Sequence, residues 1–392
     1  MSRRDELQKL ILHRLLFHGC TTRPELVALT GCRAATVFEV IDALKAVGIV
    51  IEPERRGKKT GRRAPELECN RDYACFLGLE LRASGIFGVV TDSRGDTVEE
   101  YTEQLPAHRL TLDDIRAGIL RGVSSLLKNI GDKRQLLRGV GFADPGLVDL
   151  ERGASLRAVN IPGWKNHATT EWLAKNCNVP AGIWPEQMIR TRMEYITRLP
   201  DAPESLFHLG TDGGIGGGFI KAGRLFVGST CQSMEIGHIV INPGGAICSC
   251  GNRGCLEAVA GKQGILNLVR KALRSGVATE LSEVKFSIRR FVECSHRDKA
   301  ARIIADEVSE HIGSALATVV SLLNPETIVL SGELTGLGDI MLDAVHRVLE
   351  RNCFADAIRR LKLEISTLEP CDTARGAAIM MRDRVFGIGE CA

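Results

Sequence analysis

One histidine and three cysteines lie within eighteen residues, as His238, Cys248, Cys250 and Cys255 of the run HIVINPGGAICSCGNRGC. Tetrahedral Zn²⁺ takes four nitrogen or sulfur ligands, and this set supplies them. A loop this short wraps an ion only where its backbone can take positive φ, which the glycines at 244, 245, 251 and 254 permit. Glu235 precedes the histidine by three residues and Glu257 follows the last cysteine by two. A structural zinc that holds a polar binding site in place is the chemistry this pattern points to. Disulfides or unrelated thiols are the alternatives. However, 13 cysteines in 392 residues is not the density of a small disulfide-built secreted domain. The others are scattered singly, as in a protein of a reducing compartment.

These residues need a scaffold, and a chain of 392 residues has room for two or three domains with buried cores. No apolar run approaches the roughly 18–20 residues of a membrane-spanning helix. The N-terminal MSRRDELQKLILHRLLFHG is charged throughout, unlike a signal peptide, so a cytoplasmic location is expected. The net charge of +3 is unevenly placed. Residues 1–70 hold 13 Lys/Arg against 9 Asp/Glu (+4), and the remainder 38 against 39 (−1). The first part alone is therefore expected to meet an anionic partner.

Leu7, Leu10, Ile11 and Leu15 recur at helical spacing and predict a helix over 5–18. Thr22 with Glu25 reads as a capping box opening a short helix over 23–29, and Thr30-Gly31-Cys32 is a tight turn. Val37, Val40, Ile41 and Leu44 predict a longer helix over 33–47 with Gly48 as its C-cap. Short helix, glycine turn and longer helix make a helix-turn-helix pattern. Two short β-like runs follow, and the segment between them carries six cations, Arg55, Arg56, Lys58, Lys59, Arg62 and Arg63. That is a wing able to lie along phosphates or in the minor groove. Arg33, Ala34, Ala35 and Thr36 open the recognition helix and are the candidates for base contacts.

Beyond residue 70, strand-like runs alternate with helical stretches in two rounds, which predicts two α/β lobes with a cleft between them. Strands are expected at 75–82, 85–92, 96–103, 136–144 and 181–184, with helices at 112–130, 169–176 and 186–198. The second round has strands at 206–210, 326–332 and 361–366. Its helices are expected at 262–275, 284–294, 299–323, 340–352 and 374–386.

The run Glu235-Ile-Gly-His238, followed by Cys248-Ser-Cys250-Gly-Asn-Arg-Gly-Cys255-Leu-Glu257, resembles the signature of the ROK family of repressors, open reading frames and kinases. Gly139–Asp149 resembles the family's strand and Pro-Gly turn, and Asn160–Trp164 its NxxGW segment. Ile328–Gly332 and Ala374–Ala378 resemble its later strand and last helix. The head places the chain beside the family's Mlc/NagC/XylR-like repressors. The resemblance implies a two-lobed actin-like, RNase H-like ROK domain and a homodimer or homotetramer. It divides the chain into a winged helix-turn-helix over 1–70, a first lobe over 71–198 with 374–392 packing back, and a second lobe with the zinc loop over 199–373.

In the family's sugar kinases a DxGGT segment binds ATP phosphates. Here the matching residues are Glu80-Leu81-Arg82-Ala83-Ser84, whose side chains keep a phosphate off the backbone. The kinase base is an Asp after an Asn, and here Pro185-Glu186 stands there. The second phosphate loop persists as the glycine-rich 210–218, lengthened and carrying Asp212. Glu235, His238 and Glu257 match the residues that receive sugar hydroxyls, with Glu186 a fourth candidate. The resemblance therefore implies a non-enzymatic repressor of carbohydrate-metabolism genes, with operator DNA as partner and a sugar or sugar phosphate as effector. A sugar kinase with an attached DNA-binding domain, or a regulator controlled by a partner protein, are the alternatives.

Overall fold

The computed structural model describes residues 3–53, 64–106, 110–158 and 160–388. The chain divides into two compact units. One comprises Met1–Ile189, Ile196–Ala202 and Glu369–Ala392, and the other Arg190–Tyr195 and Pro203–Leu368. No helix among the described residues is long and apolar enough to cross a membrane.

The first unit opens with a head. α1 (Arg3–Phe17) buries Leu7, Ile11, Leu12 and Leu15. β1 (Thr21–Thr22) runs into α2 (Arg23–Thr30) through a reciprocal capping box: Glu25 N–H donates to Thr22 Oγ1, and Thr22 N–H donates to Glu25 at 2.8 Å. Two donors that a first helical turn leaves orphaned are thereby satisfied. Gly31, at φ 61°, turns the chain toward α3 (Ala34–Ala46), which buries Val37, Val40, Ile41 and Leu44. β2 (Val50–Ile51) pairs antiparallel with β3 (Glu66–Cys69), and β1 takes the other edge of β3. The expected wing tip, with Arg55, Arg56, Lys58, Lys59, Arg62 and Arg63, lies outside the described residues.

Behind the head, β4 (Cys75–Arg82), β5 (Gly85–Asp92) and β6 (Thr97–Gln104) form an antiparallel meander. α4 (Leu112–Asn129) leads to β7 (Leu137–Asp144), parallel to β4. β8 (Leu147–Asp149), β9 (Ala154–Arg157) and β10 (Lys165–His167) make a small separate sheet. α5 (Thr169–Cys177) and β11 (Ala181–Pro185) complete the order β11-β7-β4-β5-β6, and α6 (Glu186–Ile196) follows.

The second unit is built on the mixed sheet β14-β13-β12-β15-β16. Its strands are β12 (Ser205–Gly210), β13 (Gly216–Lys221), β14 (Arg224–Leu225), β15 (Thr327–Ser331) and β16 (Lys362–Ile365). Its helices are α7 (Leu256–Ala260), α8 (Lys262–Arg274), α9 (Ile288–Ser295), α10 (Lys299–Leu323), α11 (Asp339–Asn352) and α12 (Ala355–Arg360). Phe207, Leu256, Phe291, Ile312, Ile328 and Leu330 belong to one fully buried core.

The last helix, α13 (Asp372–Val385), belongs to the first unit and packs on β4 and β7. Two glycines set that contact. A Cβ on Gly78 would lie 1.8 Å from Ala374 O, and one on Gly141 2.0 Å from Ala377 O. Arg382 of α13, fully buried, donates to Arg94 O at 2.7 Å and lies over the Phe17 ring of α1. Arg94 in turn bonds Cys69 O at 2.9 Å and Glu68 at 2.6 Å, so this one helix ties β3 and α1 of the head to the sheet.

Several elements differ from expectation. Arg33 is the N-cap of α3 rather than its first residue, and Val47 rather than Gly48 is its C-cap. The helix expected from Val284 starts at Ile288: Ser287 caps it by accepting the Arg290 N–H at 3.1 Å, and Val284 is left 93% exposed. The small sheet β8–β10 and the short helices α7 and α12 had no clear pattern in the sequence, because three to six residues carry too little periodicity.

Candidate functional site

The metal loop begins at a 3₁₀ turn over Ile236–His238. The chain then folds back on itself. Ile241 and Asn242 both donate to Gly254 O, at 2.9 and 3.1 Å, and Cys248 N–H donates to Asn252 O at 2.8 Å. Gly251 and Gly254 sit at φ 96° and 73°, and a Cβ on Gly254 would lie 1.7 Å from Asn242 O, so the knot requires glycine there. The ligand atoms of His238, Cys248, Cys250 and Cys255 converge within 4.8 Å of one another. His238 Nδ1 lies 3.6 Å from Cys248 Sγ, and Cys250 Sγ 3.7 Å from Cys255 Sγ. Tetrahedral zinc with its usual bond lengths sets neighbouring ligands about 3.4–3.8 Å apart, so this donor set fits the ion in both chemistry and spacing. Cys255 is fully buried and Cys250 exposed. Burial pushes the Cys255 thiol up to about 12, whereas the Asn252 backbone N–H draws Cys250 down.

The two expected carboxylates flank this knot. Glu257, in the first turn of α7, accepts the Ile215 N–H at 3.2 Å from the glycine-rich loop and the Ser249 hydroxyl at 3.3 Å from the metal loop. It thus joins two loops far apart in sequence. Glu235 is exposed as a residue, yet partial desolvation of its carboxyl raises it, with Glu257 adding to the rise and His238 opposing it. Glu235, His238 and Glu257 therefore form one electrostatic group in the second unit.

Glu186 stands in the first unit, half-buried at the first residue of α6. Beside it lies a residue that sequence reasoning passed over. Asp144 ends β7 and pairs in register with Pro185. It accepts from Trp164 Nε1 at 2.7 Å and from Gly146 N–H at 2.9 Å. Burial raises its carboxyl to about 6 against those hydrogen bonds, with Glu186 adding to the rise. The one sequence signal was a charged residue at the end of an otherwise apolar strand, GVGFAD.

Arg82, considered above only as a side chain in the place of a phosphate loop, is turned inward. It grips the fully buried Glu80 through Nε at 2.5 Å and Nη2 at 2.8 Å, and donates to Pro370 O at 2.8 Å. On the head, Arg33, Ala34, Ala35 and Thr36 are all exposed at the start of α3, while Val37 and Val40 behind them are buried.

A family model described as ROK family matches residues 78–384, most of the chain. The chain belongs to the ROK family. This ROK protein is 26% identical over 395 residues to the xylose repressor of Caldicellulosiruptor bescii, a match that takes in 98% of this chain and 97% of the repressor. It is 25% identical over 303 residues to a glucokinase of Halalkalibacterium halodurans, covering 75% of this chain and 90% of the glucokinase. Among solved structures it resembles a ROK family transcriptional regulator described as a homologue of the E. coli Mlc protein, with a TM-score of 0.83 and 22% identity over 99% of this chain and 97% of that one. The fold of this ROK protein is thus a winged helix-turn-helix head followed by a two-lobed α/β ROK domain.

Proposed function

We propose that this ROK protein is a DNA-binding transcriptional regulator, a repressor of carbohydrate-metabolism genes whose grip on its operator responds to a sugar or sugar phosphate. The observation that carries the reading is the likeness to the xylose repressor, which runs through the head as well as the ROK domain. Arg33, Ala34, Ala35 and Thr36 would meet base edges, since they open an exposed helix after a tight turn. Arg55, Arg56, Lys58, Lys59, Arg62 and Arg63 would meet phosphate or the minor groove. A homodimer or homotetramer would present two heads to a two-fold operator.

Glu235, His238 and Glu257 would receive sugar hydroxyls, with Glu186 a fourth candidate. Carboxylates accept paired hydrogen bonds from neighbouring hydroxyls and so distinguish epimers. Zinc, held by His238, Cys248, Cys250 and Cys255, would act as a structural ion that fixes the loop. One ring nitrogen of His238 would serve the metal, and the other N–H would face the sugar or an acceptor.

The likeness to a glucokinase supports the second reading, a sugar kinase carrying a DNA-binding head. Glu186 in place of an aspartate, and the inward Glu80–Arg82 pair, weigh against it. Sugar-dependent ATP turnover by the purified protein would decide for the kinase. The regulator reading is tested by fluorescence anisotropy of the full-length chain on DNA from upstream of its own coding region. Arg62→Ala with Arg63→Ala is expected to weaken binding to all sequences and to lower the log–log salt slope by roughly 1.8. An unchanged slope overturns the wing assignment. Sugar control fails if no sugar or sugar phosphate changes the anisotropy, which would leave a partner protein as the controlling agent.

A further inference from the structure

The glycine-rich loop after β12 carries a charge pair that neither the metal loop nor the sugar-facing residues use. Asp212 Oδ2 accepts from Arg190 Nη1 of α6 at 2.8 Å. Its other oxygen, Oδ1, accepts the backbone N–H of Glu333 at 3.0 Å. Thr211 closes the same corner by donating to Ser331 O through its N–H at 3.0 Å and its hydroxyl at 2.8 Å. Gly332, at φ 95°, makes the approach possible: a Cβ there would lie 2.5 Å from Thr211 Oγ1 and 2.9 Å from Asp212 Oδ1. The Arg190 side chain is only 10% exposed, against 31% for Asp212. A guanidinium so far out of water requires an anion, because an uncompensated buried charge is costly.

A guanidinium fork and a backbone N–H beside glycines are donors that suit phosphate oxygens as well as a carboxylate. Here the carboxylate belongs to the loop itself. A tethered group meets its donors at an effective concentration that a free anion in solution does not match. An incoming phosphate would also face the charges of Asp212 and Glu333 side by side. The far end of the same loop donates Ile215 N–H to Glu257, so the Asp212 anchor also steadies the backbone that holds a sugar-facing carboxylate.

We propose that Asp212 is the resident anion of an oxyanion site built from Arg190 and the Glu333 N–H, and that it keeps phosphate-bearing ligands off this loop. The probe is inorganic phosphate alone, so the test is independent of DNA and sugar binding. In equilibrium dialysis the full-length wild type is expected to retain no phosphate. Asp212→Ala gains a saturable phosphate site, and the Arg190→Gln, Asp212→Ala double variant loses it again. If Asp212→Ala does not fold, the near-isosteric Asp212→Asn is read by thermal unfolding: its melting temperature rises in phosphate relative to chloride at equal ionic strength, and that of the wild type does not. Three results overturn the proposal. They are saturable phosphate binding by the wild type equal to that of the variant, retention by the double variant, and absence of any phosphate response in the folded Asp212 variant.

Discussion

His238 and Cys255 illustrate how local spacing becomes chemistry at the scale of single residues. The four candidate ligands come from one short loop, so hydrogen bonds within that loop suffice to bring them together. Cys250→Ser removes a ligand without disturbing the buried Cys248 and Cys255. We expect it to abolish stoichiometric zinc in metal analysis and to lower the melting temperature of the second unit. Absence of zinc from the wild-type protein would refute the site. Asp144 gives a pH prediction of definite sign. Its folded-state value of about 6 lies above the ordinary 3.8, so the native state binds the proton more tightly. Its contribution to stability is therefore fully present below the ordinary value and is lost as pH rises through about 6. At about 1.4 kcal/mol per unit, the loss between pH 4 and 7 is at most roughly 3 kcal/mol relative to Asp144→Asn, which cannot titrate. Urea unfolding of both proteins across that range measures it, and a pH-independent difference between them contradicts the assignment.

At the scale of elements, α13 joins the first unit's sheet to the head. Its Ala374 and Ala377 carbonyls lie against the backbone of β4 and β7, and its Arg382 reaches both β3's neighbour Arg94 and α1's Phe17. Gly141→Ala would push a methyl group into the Ala377 carbonyl. It is expected to destabilise the protein by about 1–3 kcal/mol, the usual cost of overpacking, as read by the shift of the urea midpoint. The same variant is expected to weaken DNA binding, because the helix that would move also anchors the head. Unchanged DNA affinity in a folded Gly141→Ala protein would show that this anchor does not govern the head.

For the whole molecule, the proposed regulation is a coupling between two ligands. A sugar can release DNA only through its differential affinity for the DNA-bound and free arrangements, and the effect is reciprocal. A sugar that weakens operator binding tenfold must itself bind tenfold more weakly in the presence of saturating operator. Titration calorimetry with and without DNA measures both legs, and unequal factors contradict the coupling. A thermal-shift screen identifies the sugar first. A ligand at about a hundred times its Kd adds roughly 2.7 kcal/mol to the stability of the folded protein.

The sequence by itself determined the elements whose information is local. The capping box of α2 and the long helix α10 follow from spacing within a few turns, and α10 spans Lys299–Leu323 as expected. The Cys/His cluster is legible for the same reason, since its four side chains are neighbours in the chain. Only the tertiary structure decided the partners of the inward-facing charged side chains. Asp144 meets Trp164 across 20 residues, Arg190 meets Asp212 across 22, and Arg82 meets Pro370 across 288. No periodicity links such positions. Their partners are chosen by strand register and helix packing, which bring the groups into low dielectric and make pairing obligatory. Asp212, visible in the sequence only as an acidic residue in the lengthened glycine-rich loop, has in the fold a buried cation and a backbone N–H already bonded to it.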